Sequence, residues 1–286
     1  MASPSAFEVQ GHRGAGCLLP ENTLPSFELA LDLGVTSIEI DVHLTRDDVP
    51  VLIHDARLPT ETGAALVRSL PLEQIRRHRV GTTAPTPLAQ RFAATRGIDP
   101  FGIPTLAEFF EFVAFYASSP EKTSTQRACA GRLIYDIELK RVPFEPETVG
   151  DGFTGNGPAL LERSVVAAIR QAGVLERTRV RSFDHRCVWA VKQLEPRLET
   201  CLLIYETAPM NIAAMLAAAL AEVYGPDYHF VDAEVVQQVH AAQKKIIPYT
   251  VNEPADWQRL VALGVDGITT DYPDRLIAWL AERGGS

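Results

Sequence analysis

Runs in which apolar and polar residues alternate, or in which apolar residues are continuous over four to eight positions, recur along the whole chain. They are separated by stretches of helical period. The strand-type runs are FEVQGH (7–12), SIEIDV (37–42), RLIYDIEL (132–139), TRVRSF (178–183), TCLLIY (200–205), YHFVD (228–232), KIIPYTV (245–251) and DGITT (266–270). After the first run, Leu24, Phe27 and Leu31 fall at i, i+3 and i+7, with Asn22 or Thr23 placed to cap a helix and Gly34 to close it. After the last, Asp271 is a cap candidate, Pro273 sits in the first turn, and Leu276, Ile277 and Leu280 share one face. Eight strand-type runs, with helical patterns between nearly all of them, predict an α/β fold with a parallel sheet closed into a TIM (β/α)8 barrel.

Two regions break the alternation. Residues 46–103 hold a hairpin pattern, RDDVPVLIHD, and then sequence rich in Thr, Pro, Gly and Arg, before a helix opens at IPTLAEFF. This predicts a small insertion after the second strand. Residues 141–158, RVPFEPETVGDGFTGNGP, are too rich in Pro and Gly for a helix and are expected to form a loop at the C-terminal end of the barrel. The length of 286 residues suits one barrel domain over 1–286 carrying that insertion, since such barrels typically take about 250 residues.

Composition narrows the class. Hydrophobic residues make up 46% and charged residues 22% of the chain, enough to bury a sizeable core. A formal net charge of -9, with no block of Lys or Arg, argues against nucleic acid as a partner. The longest apolar run, IAAMLAAALA at 212–221, falls short of the ~20 residues that cross a bilayer and reads as a buried helix. Cys17, Cys129, Cys187 and Cys201 show no C-x-x-C spacing and read as four free thiols. MASPSAFEVQ has no basic or apolar leader pattern. The expected location is cytoplasmic, with a secreted or periplasmic one as the alternative had a leader been trimmed.

The candidate chemistry lies on two strands. In TSIEIDVHLTRD, Ile38, Ile40, Val42 and Leu44 share one face, leaving Glu39, Asp41 and His43 on the other. In a barrel the apolar set packs against the helices and the other set points inward. In RLIYDIELK, Asp136, Glu138 and Lys140 take the inward face in the same way. Three converging carboxylates, Glu39, Asp41 and Glu138, repel: at about 4 Å a like pair costs of order 4 kcal/mol even at an effective dielectric near 20. A hard divalent cation, Mg or Ca, fits that all-oxygen set.

His12 ends the first strand in QGHRGAG, and His54 lies in VLIHD. Two imidazoles can remove one proton and supply another. Arg13, followed by Gly14 and Gly16, and Lys140 can hold an anion such as a phosphate. Together these parts suit metal-assisted hydrolysis of a phosphodiester.

The segments HRG (12–14), PENT (20–23), EIDVHLTRD (39–47), VLIHD (51–55), IPTL (103–106), IELK (137–140), YTVN (249–252) and DGITTDYPD (266–274) resemble, in order and over nearly the whole chain, the glycerophosphodiester phosphodiesterase family. The resemblance implies a TIM barrel with a small insertion after the second strand. It implies Glu39, Asp41 and Glu138 as metal ligands, His12 and His54 as general acid and base, and Arg13 and Lys140 as phosphate contacts. It further implies a small-molecule glycerophosphodiester substrate, cleaved to sn-glycerol 3-phosphate and an alcohol. The glycerol 2-hydroxyl would attack phosphorus to give a cyclic phosphate that water opens.

The chain departs from the family pattern at Tyr249, where Trp is common, and in ARLPTETGAALV after the HD motif. Both bear on substrate preference, and so do Phe101 and the 141–158 loop as candidates for shaping the pocket. Glu21 and Asn22 of PENT are expected to cap the first helix or brace the barrel mouth as readily as to touch substrate. Three rival readings remain at this point. One is a phospholipase D of the sphingomyelinase type, which should display apolar loops at the mouth, whereas the insertion and the Gly-rich 141–158 loop hold few exposed-looking aromatics. Another is an aldolase-like barrel using Lys140 as a Schiff-base amine. The third is a non-catalytic phosphate-binding barrel.

Overall fold

The computed structural model describes residues 7–60, 63–81 and 84–284; residues 1–6 of the N-terminal stretch read for a leader lie outside them. Eleven strands are formed among the described residues: β1 (Glu8–Gly11), β2 (Ser37–Leu44), β3 (Pro50–Leu52), β4 (Arg57–Thr60), β5 (Gly63–Leu66), β6 (Ile134–Leu139), β7 (Thr178–Ser182), β8 (Glu199–Ile204), β9 (Val223–Pro226), β10 (Lys245–Ile246) and β11 (Gly267–Thr270). Eight of them run parallel in the order β10-β9-β8-β7-β6-β2-β1-β11. Main-chain bonds from Asp266 N to Ile246 O (3.0 Å), Thr269 N to Pro248 O (3.0 Å) and Val251 N to Thr269 O (2.9 Å) span the remaining gap. The result is a nearly closed TIM barrel, as the alternation predicts.

The outward set of each strand makes the core. Ile38, Ile40, Val42 and Leu44 of β2 join Leu133, Tyr135, Ile137 and Leu139, from β6 and its approach, in one cluster with the helix residues Phe27 and Phe109. The helix Leu24–Leu33 is capped by Thr23, whose side chain accepts from Ser26 N, and closed by Gly34 in the left-handed region. The inward set of the lower barrel is polar. Arg179 of β7, fully buried, donates to Glu8 (2.9 Å), Asp136 (2.9 Å) and Glu199 (2.9 Å). Such a cluster specifies a geometry more than it adds stability, but losing one member leaves a buried charge uncompensated, at about 3–5 kcal/mol.

Two readings are corrected. The sixth strand is not YHFVD at 228–232; it is Val223–Pro226, and Tyr228–Phe230 forms a 3-10 turn capped by Asp227. Gly225 and Pro226 disguise the strand as a turn, yet the glycine is needed there: a Cβ would lie 2.8 Å from Cys201 Sγ. The apolar stretch 212–221 is helical over Ile212–Ala219, but only Ile212, Leu216 and Ala219 of that helix are buried. Small Ala side chains are cheap to leave exposed, so uniform apolarity overstated the burial. Among the described residues no helix is long and apolar enough to cross a membrane.

The insertion follows β2 as expected. β3 returns antiparallel on β2, with Leu52 opposite Val42, and β4 and β5 form a separate hairpin whose tip, residues 61–62, lies outside the described residues. Val51, Leu58, Val67, Ile75 and Ile103 give this region its own small core. The helix Pro87–Arg96 is tied to the barrel by Glu28, which accepts from Leu88 N (3.3 Å) and Ala89 N (2.7 Å). Phe101 is fully buried, so it supports the insertion from within and does not line a pocket. The barrel resumes at the helix Leu106–Ser118, opened by a Thr105–Glu108 capping box.

Candidate active site

All eight residues of β2 are buried, so the polar half of its alternation faces the lumen. Asp41 is in register with Glu138 of β6, and together with Glu39 they bring one carboxylate oxygen each within 4.8 Å of one another. The oxygens Glu39 Oε1 and Asp41 Oδ1 are buried without a hydrogen-bond partner. Burial, with repulsion from Asp41, pushes the Glu39 carboxyl well above the usual range. Burial would also raise Asp41, but Lys140 and Arg13 beside it outweigh that and hold it below its ordinary value. Three crowded carboxylates, two of them with a buried oxygen that accepts no hydrogen bond, are an all-oxygen donor set of the kind a hard divalent cation takes, and these residues fit one.

The cations of the site are drawn in by the same carboxylates. Lys140 Nζ lies 2.8 Å from Glu138 and 3.3 Å from Asp41. Burial alone would lower the Lys140 ammonium, yet Glu138 and Asp41 reverse this and raise it. A lysine held protonated is no Schiff-base nucleophile, which counts against the aldolase reading. Arg13 Nε is 3.1 Å from Asp41, and its Nη1 is 2.7 Å from Glu21. Asn22 donates from Nδ2 to Asp41 Oδ2 (3.0 Å) and accepts from Asp41 N (3.3 Å). PENT therefore braces Arg13 and Asp41, while Thr23 does the capping.

The HRG turn is set by backbone shape. Arg13 has φ 55° and Gly14 φ 89°, and a Cβ on Gly14 would stand 2.5 Å from Ser26 Oγ. This turn aims Arg13 N at Glu39 Oε2 (3.1 Å) and places His12 Nε2 at 3.9 Å from the same oxygen. His12 Nδ1 donates to Asp271 at 2.6 Å, and Asp271 is held in turn by Asn252 Nδ2 (2.7 Å). Burial would lower the His12 pKa, but the bond to Asp271 and the nearby Glu39 raise it overall. The reading of Asp271 as a helix cap misses this role; its place in DGITTDYPD, directly after a strand's C-terminal end, is the signal that could have found it. Asp271→Asn is expected to lower kcat roughly tenfold or more. Without that charge the imidazolium is less favoured, so the limb of the pH–rate profile governed by His12 should move to lower pH. A profile that does not move would remove this coupling.

His54 lies just past β3 and lines a cavity of about 420 Å³ with Glu21, Asn22, Leu52, Val80 and Ile103. Its Nδ1 is 2.9 Å from Asp55. Tyr249 donates to Ile204 O (2.8 Å) and meets Phe183 edge-on at 5.9 Å. The 141–158 loop stands at the catalytic end, pinned by Arg141 to Asp151 (2.7 Å) and Glu162 (2.8 Å). Among the described residues of the insertion and the 141–158 loop, Phe144 is the one aromatic that is strongly exposed, at 93%, while Tyr205 (60%) and Met210 (98%) add exposed apolar surface on the loop after β8. Loop exposure depends on where the chain turns, which composition does not carry.

The model of the glycerophosphoryl diester phosphodiesterase family matches residues 12–150 and 152–275. A glycerophosphodiester phosphodiesterase of Caldanaerobacter subterraneus is 31% identical over 97% of this chain and 98% of its own length. One from Bacillus altitudinis is 30% identical over 94% and 96%. A solved structure from Silicibacter pomeroyi, 27% identical, superposes over 99% of this chain and 96% of that one with a TM-score of 0.79. A phosphodiesterase from Oleispira antarctica, solved with the product sn-glycerol-3-phosphate, shares the fold at 23% identity and a TM-score of 0.74, over 96% of both chains. With the family model matched over nearly the whole chain and relatives 30–31% identical along almost all of it, the protein belongs to the glycerophosphoryl diester phosphodiesterase family.

Proposed function

We propose that this protein hydrolyses glycerophosphodiesters to sn-glycerol 3-phosphate and an alcohol, with a divalent cation, Mg or Ca, held by Glu39, Asp41 and Glu138. The observation that carries the reading is the convergence of those three carboxylates, two with unpartnered oxygens, beside an imidazole already oriented by Asp271. When bound, the cation supplies Lewis acidity and neutralises phosphate oxygens. Arg13, beside Asp41 and Glu21, and Lys140, beside Glu138 and Asp41, would contact the phosphate oxygens. His12, with its Nδ1 proton committed to Asp271, keeps Nε2 for proton transfer, and His54 is the second acid–base group.

The attacking group is the glycerol 2-hydroxyl. Its oxygen bonds to phosphorus, its proton passes to one histidine, and the other histidine protonates the leaving alkoxide as the P–O bond breaks. Water then opens the cyclic phosphate by the reverse proton movements. Neither Ser nor Cys is needed as a nucleophile. A purely binding barrel would have no use for the His12–Asp271–Asn252 relay.

The test is to incubate the purified protein with glycerophosphocholine, glycerophosphoethanolamine and lysophosphatidylcholine and to measure sn-glycerol 3-phosphate and free alcohol. Release of both from the water-soluble diesters is the expected result. Formation of phosphocholine and glycerol would overturn it, because the other ester bond would then have broken. Preference for the lysolipid would favour the lipid-directed reading that the exposed mouth residues allow.

A further inference from the structure

His43 completes the inward face of β2 that carries Glu39 and Asp41, it is 2% exposed, and no step above uses it. Its Nε2 lies 3.1 Å from the main-chain carbonyl oxygen of His54. A carbonyl only accepts, so this nitrogen carries the proton and acts as donor. The other ring nitrogen, Nδ1, is buried without a partner, so this bond is the ring's one polar attachment.

His54 has little else to hold it. The β2–β3 ladder ends at Leu52, and the last main-chain tie of this segment to the barrel is Ile53 N to Asp41 O at 3.0 Å. The His54 side chain is 36% exposed, and its bond to Asp55 is to a residue 80% exposed. A polar contact so open to water fixes little. Past the Ile53–Asp41 bond, the buried tie at the carbonyl is therefore the one that holds the His54 main chain to the barrel interior.

We infer that His43 is a positioning residue, acting through His54 by clamping its carbonyl oxygen from the barrel interior. This rests on the acid–base reading of His54 given above. It also accounts for the polar alternation of β2 continuing one inward position beyond the two carboxylates: the strand carries the metal site and the brace for the second histidine on one face.

The experiment uses the full chain and four variants, His43→Leu, His43→Gln, His54→Ala and the double variant His43→Leu/His54→Ala, with glycerophosphocholine as substrate and MgCl2 titrated by calorimetry. His43→Leu should lower kcat by about 10- to 100-fold, the scale of a small misplacement of a reacting group, with KM and the Mg²⁺ Kd within about twofold of wild type. His43→Gln, whose amide N–H can reach the same carbonyl, should recover most of the loss. In the His54→Ala background, His43→Leu should have no further effect, because a residue acting only through another is non-additive with it. If His43→Leu does not fold, His43→Asn, polar but too short to reach, replaces it. Additive losses, or a fall in Mg²⁺ affinity parallel to kcat, would overturn the inference alone. Full activity of His54→Ala would instead show that the acid–base reading of His54 has failed and taken the clamp with it.

Discussion

His12→Ala should lower kcat with glycerophosphocholine by about 10²- to 10⁴-fold, the range general acid–base groups contribute, while KM changes little. The physical basis is the arrangement of three groups. Asp271 accepts the hydrogen bond from His12 Nδ1 at 2.6 Å, Asn252 holds Asp271 from its far oxygen, and Nε2 faces the carboxylate cluster. Removing the ring deletes the proton carrier and leaves the fold's core untouched, since His12 stands at the end of β1 and outside the apolar clusters. Steady-state kinetics beside a thermal unfolding curve makes the check. A variant that keeps its full rate would end the acid–base assignment.

Removal of the metal is the second large effect. EDTA should reduce hydrolysis to background, Mg²⁺ or Ca²⁺ should restore it, and Glu138→Ala should not be rescued at concentrations that saturate wild type. Stability should follow the same ligand. Glu39, Asp41 and Glu138 stand within bridging distance of one another and repel, and a cation would relieve that repulsion. A ligand at 100 times its Kd adds about 2.7 kcal/mol to the stability of the form that binds it, so Tm should rise with added metal and fall on chelation. The sign with pH is also set: the cation and protons compete for the same oxygens, and Glu39 holds its proton well above the usual range, so metal affinity should weaken as pH falls. Activity and Tm both indifferent to EDTA would remove the cation from the account.

The site was readable to the extent that its residues lie on strands. Glu39 and Asp41 alternate with Ile38, Ile40 and Val42, and Glu138 and Lys140 alternate with Ile137 and Leu139; a period of two leaves no choice of face once the apolar set is buried. His12 and Arg13 were readable for a different reason, because HRGAG places a histidine and a guanidinium beside glycines at a strand's end. What stayed hidden came from elements far apart in the chain. Asp271 carries the pattern of a helix cap, and only barrel closure brings it to His12, 259 positions away. Nothing in TSIEIDVHL says that the His43 ring will meet the carbonyl of His54, because the hairpin between them sets that distance.

By itself, then, the sequence determined the strand–helix alternation, the place of the insertion, and which side chains of β2 and β6 turn inward, since all three follow from local period and from the need to bury apolar surface. The tertiary structure alone decided that Val223–Pro226 and not 228–232 is the sixth barrel strand, that Phe101 is buried and Phe144 exposed, and that Asp271 and Asn252 serve His12. Those outcomes depend on contacts between residues remote in sequence, and local preference carries no information about which distant group will stand opposite.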